Sequence, residues 1–324
     1  MNHPVFQSVF KEEMHQYLNY KVASGYKEVS YSNHLRQFDK FCMEHGIPRP
    51  VFTDQHAAKW IQRKENEAST THYSRVNGIK HFLIYLHRRG FNVFVTRDIN
   101  FRQTDFQPHI YTENEIVRYF HAVDTYESSR NRKDAIQLPI LFRLLYCCGT
   151  RINETLGIRK QDVDLRNGII KLYETKNNCE RYIVLNGDLT NLVRQYAEKC
   201  FYLLGDNEYI FTTSNGGRLS GDTIYNRHRL FLHKAGIPYL GGGRGPRLQD
   251  WRHTFSVKCF KQMVDAGLDM YVALPILSTY LGHKTIYATE RYVRLTMSLF
   301  RTSRNVSKIR WTRCLGGVGD YEIN

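Results

Sequence analysis

Apolar residues recur every three or four positions through the first ninety residues of the chain, lose that rhythm between Phe94 and Pro108, and regain it behind Thr112. That spacing is the period of an α-helix with one buried face, so a chain patterned this way folds as two largely helical bodies joined by a linker. In the first block Phe6, Val9, Phe10, Met14, Tyr17 and Leu18 form one such face. Leu35, Phe38, Phe41 and Cys42 form a second, which stops at Gly46 with Pro48 beyond it. Ala57, Ala58, Trp60 and Ile61 follow the potential cap Thr53, and Val76, Ile79, Phe82, Leu83, Tyr85 and Leu86 run on to Gly90. This last helix carries Arg75, Lys80, Arg88 and Arg89 on or near its polar side. The pattern predicts a small helical domain over residues 1–105 and a second domain over 106–324.

The second domain opens on a capping box, Thr112 with Glu115 three residues on, ahead of Ile116, Tyr119 and Phe120. An apolar helix over residues 136–148 stops at Gly149. Between residues 169 and 185 the period falls to two, with Ile170, Leu172, Tyr182 and Val184 alternating about Asn177-Asn178, a hairpin signal. Helical spacing returns over 189–202 and 251–264. The glycine-rich stretch from Gly241 to Pro246 fails as a nucleotide fingerprint, because no strand precedes it and no Gly-Lys-Ser/Thr follows.

Charge narrows the choice of partner. The 324 residues hold 46 Lys and Arg against 31 Asp and Glu, a net +15, and a pI near 9.5 points to a polyanion. Residues 1–107 carry 15 basic and 10 acidic side chains, which puts +5 there and +10 in the remainder. If the polyanion is DNA, charge on both halves suggests a duplex held between two basic bodies. The plainer reading of the same charge is a solvated, lysine-rich surface. Seven scattered cysteines without a C-x-x-C pair argue against a disulfide framework or structural zinc, and for a reducing cytoplasm. No apolar run approaches the ~18–20 residues of a membrane span, and the greasy stretch over residues 138–149 is broken by Arg143. The first thirteen residues lack the basic and apolar regions of a secretory signal. Secreted, membrane and collagen-like classes are excluded on these grounds.

Three segments of the second domain stand out. Gly149-Thr150-Arg151-Ile152-Asn153-Glu154 places an Arg just after a helix stop, where Thr150 can cap the next helix. Leu248-Gln249-Asp250-Trp251-Arg252-His253-Thr254-Phe255 places another at the start of an amphipathic helix, with Trp251, Phe255 and Cys259 on its buried side. Leu281-Gly282-His283 is followed nine residues later by Tyr292. Taken singly each has a bland explanation: a surface ion pair, a packed aromatic, a loop histidine.

Together they resemble the tyrosine recombinases, or phage-type integrases. Arg151 with Glu154 stands in the family's G-x-R-x-x-E setting, and Lys176, in Thr175-Lys176-Asn177-Asn178-Cys179-Glu180-Arg181, stands where the family has its hairpin lysine. Gln249 to Thr254 corresponds to H-x-x-R-H-T, Leu281-Gly282-His283 to the L-G-H box, and Tyr292 to the nucleophile. The resemblance implies a helical core-binding domain followed by a mixed, mostly helical catalytic domain with a small antiparallel sheet. It implies double-stranded DNA with inverted core half-sites as partner, a dimer on each site, a tetramer in the synapse, and no cofactor or metal. The tail after Tyr292, with Leu295, Met297, Leu299 and Phe300, would mediate assembly.

The chemistry accounts for the residue types. Two guanidiniums, Arg151 and Arg252, suit the non-bridging oxygens of a phosphodiester as it becomes pentacovalent. Tyr292 would attack to leave a 3′-phosphotyrosine, and Lys176 would protonate the departing 5′-oxygen. His283 would hydrogen-bond the phosphate or the tyrosine oxygen, Glu154 would orient Arg151, and His253 would buttress the site. Arg75 and Lys80 are the candidate DNA contacts of the first domain. One departure stands out: the family's H-x-x-R begins here with Gln249, an amide that donates a hydrogen bond but cannot carry a proton near neutral pH. The rival readings are a type IB topoisomerase, which relaxes DNA without exchanging partners, and a DNA-binding regulator that cleaves poorly.

Overall fold

The computed structural model describes residues 4–99, 107–128, 133–173, 180–239, 241, 245–283 and 289. The chain divides into two compact units, Met1–Phe106 and Gln107–Asn324.

The first unit holds helices α1 (Lys11–Ala23), α2 (Val29–Glu44), α3 (Asp54–Ile61) and α4 (Ser69–Arg88). The first, second and fourth pack on one another around Phe38, whose ring meets Phe10 at 5.8 Å, Phe52 at 5.2 Å, Trp60 at 5.4 Å and Phe82 at 6.0 Å. Thr53 caps α3 through a reciprocal pair: its Oγ1 accepts from the His56 N–H, and His56 Nδ1 accepts from the Thr53 N–H. Helix α1 starts at Lys11, after the apolar spacing begins. Phe6 is buried all the same, because the buried Asp39 carboxylate accepts the N–H groups of Gln7 and Ser8 and holds this entering strand of chain against α2.

The pattern of α4 puts Arg75 on its polar side, and here the structure corrects the sequence. Arg75 is only 2% exposed. It donates to the carbonyl oxygens of Trp60 and Gln62, forks onto the Glu67 carboxylate at 2.8 and 2.9 Å, and lies over the Trp60 ring. A guanidinium so enclosed ties α3 and the 62–67 loop to α4 and is not presented to DNA. Lys80 is half-buried and paired with Asp98 at 2.6 Å.

The second unit holds α5 (Glu113–Asp124), α6 (Asp134–Cys147), α7 (Ile152–Thr155), α8 (Gly187–Cys200), α9 (Gly221–Lys234), α10 (Asp250–Asp265) and α11 (Met270–Leu281). Its antiparallel sheet runs β1 (Val163–Asp164), β2 (Ile169–Tyr173), β3 (Glu180–Val184), with Tyr173 opposite Glu180. The hairpin is where the alternation places it, whereas the short β1, α9 and α11 had no clear sequence signal. Side-chain caps start α9 and α11 nonetheless, at Ser220 and Asp269. Helix α6 is buried on most of its circumference and meets α5, α8 and α10. Its Arg143 forks onto Asp124 at 2.7 and 2.8 Å and covers the Phe120 ring, so the one charge in the apolar run is neutralised inside the fold. No described helix is long and apolar enough to cross a membrane.

Helix α10 is the element that positions the site, because it is packed on two sides. Trp251 stacks flat on Tyr111, 3.9 Å between ring centroids, in the main core. Phe255, Val257 and Phe260 face a separate cluster with Ala273, Leu277 and Leu281 of α11. The start of α10 is thereby wedged between the end of α6 and the end of α11.

Candidate active site

The site begins where α6 stops. Gly149 has φ 59, and a Cβ there would lie 2.3 Å from the Phe255 ring, so both the turn and the approach of α10 require glycine. The next helix, α7, is capped by Arg151 and not by the Thr150 side chain, whose hydroxyl pairs with Thr155 Oγ1 at 2.6 Å. Glu154 reaches back to Arg151: Oε2 accepts its backbone N–H at 2.9 Å and Oε1 accepts Nη1 at 2.5 Å. A second guanidinium, Arg181 on β3, donates to Glu154 Oε2 at 2.6 Å, and Arg252 Nη1 stands 4.0 Å from the same oxygen. Burial by itself would push the Glu154 carboxyl up, but the charge of Arg181, the Arg151 N–H and the bonds from both guanidiniums outweigh it, and the net shift is downward. Glu154 is therefore an ionised, buried hub.

Arg252 is 1% exposed and lies one turn into the wedge. Its Nη1 donates to the Gly149 carbonyl at 2.8 Å, and Nη2 donates to the Leu281 carbonyl at 2.5 Å and to His283 Nε2 at 3.1 Å. Asp250 is the first residue of α10 and not its cap; its carboxylate accepts the Arg247 N–H. Gln249 takes the cap position with its backbone, and its side chain is exposed without a capping bond.

His283 follows Gly282, whose left-handed conformation (φ 66) ends α11 and turns the chain. A guanidinium can only donate, so His283 Nε2 accepts from Arg252; in the neutral ring the proton then sits on Nδ1, which donates to Thr289 Oγ1 at 2.7 Å. The His283 pKa is lowered to about 4, first by burial and then by Arg252, Arg151, Arg181 and His253. The imidazole is neutral at physiological pH.

The sequence model of the phage integrase family matches residues 110–298, which include every one of these groups. The chain belongs to the phage integrase family. It is a site-specific tyrosine recombinase, as the motif spacing implies. This integrase is 26% identical to tyrosine recombinase XerC of Rickettsia canadensis over 289 residues, covering 86% of this chain and 88% of that one. It is 24% identical to the y4rB protein of Sinorhizobium fredii over 312 residues, 94% and 98% of the two chains. Its fold matches XerH recombinase bound to difH substrate with a TM-score of 0.65 at 15% identity, covering 94% and 100%. It also matches a lambda integrase dimer bound to a core site, at 0.60 and 15%, covering 85% and 95%.

In this integrase the structure brings together Arg151, Glu154, Arg252 and His283, from three segments separate in sequence. His253, half-buried, follows Arg252 on α10. Lys176 and Tyr292 lie outside the described residues, as do Asn177-Asn178 and the tail from Leu295 onward. Two participants were missed in the sequence, Arg181 and Thr289. Arg181 closes the hairpin motif that carries Lys176, and Thr289 opens the segment that carries Tyr292, so each was in view without a signal of its contact. Among the described residues no group of three His, Cys, Asp or Glu could hold a metal ion.

Proposed function

We propose that this integrase cuts and rejoins duplex DNA through a 3′-phosphotyrosine on Tyr292, in moving a mobile element into or out of a chromosome. Residues 1–105 would bind the core site and 106–324 would carry the chemistry and the assembly tail. XerH and lambda integrase are each solved on their DNA, the latter as a dimer. By analogy two protomers would occupy inverted half-sites, and four would form the synapse.

The observation that carries the chemical reading is the convergence of Arg151 and Arg252 on one carboxylate and one neutral histidine. Preorganised guanidiniums stabilise the charge that develops on the non-bridging oxygens without having to be gathered during the reaction. In the proposed step the Tyr292 hydroxyl gives its proton to water, its oxygen bonds to phosphorus, the bond from phosphorus to the 5′-oxygen breaks, and Lys176 delivers a proton to that oxygen. The reverse attack by a 5′-hydroxyl reseals the strand without an external energy source. Gln249 cannot accept the tyrosine proton. The one Nε2 lone pair of His283 is engaged by Arg252, so the ring steadies that guanidinium, and a tyrosine or phosphate oxygen would meet it only on displacing that bond. Lys80 would contact backbone phosphate by exchanging Asp98 for it.

The test is covalent trapping on a nicked duplex carrying the integrase's site. The wild-type chain should form an adduct and Tyr292→Phe should bind without forming one; an adduct in the variant would remove Tyr292 from this role. Binding without any adduct would favour a regulator, and relaxation without strand exchange a topoisomerase.

A further inference from the structure

We infer that Arg181 is a positioning residue of this site: it holds the Glu154 carboxylate on Arg151 and so leaves the charge of Arg252 for the scissile phosphate. The inference rests on the reading of Arg151 and Arg252 as the phosphate clamp.

Arg181 stands opposite Leu172 in the hairpin, yet its side chain is 10% exposed and serves the helices, not the sheet. Nη2 donates to Glu154 Oε2 at 2.6 Å and Nη1 to the Tyr280 carbonyl at 2.7 Å. Its Cδ fills the space that a side chain at residue 282 would need. One planar fork thus joins the head of α7, which presents Arg151, to the end of α11, which presents His283. The third nitrogen, Nε, is buried and has no hydrogen-bond partner among the described residues.

Glu154 Oε2 explains why the fork matters. It lies at bonding distance from Arg181 but 4.0 Å from Arg252 Nη1, close enough that a small rotation would turn that separation into an ion pair. An ion pair there would neutralise Arg252. With Arg181 present, three guanidiniums surround one carboxylate, a surplus of two positive charges facing a phosphodiester that becomes doubly charged at its transition state. Replacing Arg181 with a neutral residue halves the surplus and frees the carboxylate to move. The same cation acts on His283, which is faced by Arg252 and His253 of α10, Arg151 at the head of α7 and Arg181 of β3, with the Glu154 carboxylate bonded to two of these guanidiniums. Loss of one positive neighbour therefore moves the His283 titration upward from about 4.

The experiment compares the full-length wild-type chain with Arg181→Gln and Arg181→Lys. Adduct formation is timed at saturating concentration of a nicked duplex that the wild-type chain has selected from a random-sequence pool. Affinity is measured on the intact duplex. His283 is titrated in the DNA-free protein by imidazole nitrogen NMR, assigned with His283→Asn. Arg181→Gln should slow adduct formation at least about tenfold with affinity held within about twofold, and should raise the His283 titration. Arg181→Lys, which keeps the charge but not the fork, should restore the titration and part of the rate. An Arg181→Gln chain that cleaves at the wild-type rate, or loses rate only in step with affinity while His283 titrates unchanged, overturns the inference. A wild-type chain that forms no adduct overturns the clamp reading instead. The His283 titration then still decides on Arg181, because it needs no DNA, and an unmoved value in Arg181→Gln counts against it.

Discussion

Glu154→Gln is the sharpest single perturbation of this site, because it changes one charge and almost no volume at a side chain 1% exposed. The carboxylate accepts from Arg151 Nη1, from the Arg151 N–H and from Arg181 Nη2. A glutamine keeps one acceptor oxygen and turns an NH2 donor toward a guanidinium that can only donate. Removing one partner of a buried ion pair costs about 3–5 kcal/mol, since the remaining charge stays buried without compensation. Arg151, 24% exposed, can turn to water, whereas Arg181 at 10% cannot, so the lower end of that range applies, about 3 kcal/mol. At roughly 2–4 °C per kcal/mol for a unit of this size, the melting temperature should fall by about 6–12 °C at neutral pH. The pH dependence has a definite sign. The folded pKa of Glu154 lies below its ordinary value of 4.5, so its stabilising contribution is complete above that value and is lost as pH falls through the lowered one. Thermal unfolding of the two chains by circular dichroism should thus show a wide gap at pH 7 that closes in acid. A gap under about 1 kcal/mol at neutral pH, or one that persists unchanged in acid, would show that Glu154 is not the charge hub of the site.

Four further outcomes are expected. Tyr292→Phe binds duplex DNA and forms no covalent adduct, as read on denaturing gels. Lys176→Ala cleaves slowly on ordinary DNA and recovers on a substrate with sulfur at the 5′-bridging position, whose leaving group needs no proton; absence of recovery would take Lys176 out of the acid role. Gln249→His raises the single-turnover cleavage rate without tightening DNA binding, by up to the roughly 10²–10⁴-fold that a positioned base contributes, and a neutral result would move the proton to another group. Thr289→Val removes the acceptor for His283 Nδ1, so imidazole NMR should report loss of the single Nδ1–H tautomer while Thr289→Ser retains it; an unchanged spectrum in the valine variant would show that Arg252 alone sets the ring.

Local signals in this chain proved reliable where a few neighbouring atoms decide the outcome. Thr53 and Thr112 begin helices because each closes a hydrogen-bonded box within three residues. Gly149 and Gly282 end helices because both stand at positive φ, and the alternation about residues 169–185 yields a hairpin because its period matches the pleat. The ordered spacing of Arg151, Arg252, His283 and Tyr292 was enough to reach the family, since that spacing reflects chemistry that tolerates few other residue types. Spatial neighbours remote in sequence could not be read in this way. Periodicity assigns Arg75 to a polar face, but Trp60 and Glu67, brought beside it by tertiary packing, make that position an interior one. Arg181 looks like one more basic residue of a hairpin until the end of α11 and the head of α7 arrive on either side of it. The tautomer of His283 likewise depends on Arg252 and Thr289, contacts that exist only once α10 and α11 are packed. Sequence determined which helices and motifs this chain has, because caps, turns and periods are set within one turn of backbone. Tertiary structure decided which charges meet and which are buried, because those energies depend on distances between segments that no local pattern encodes.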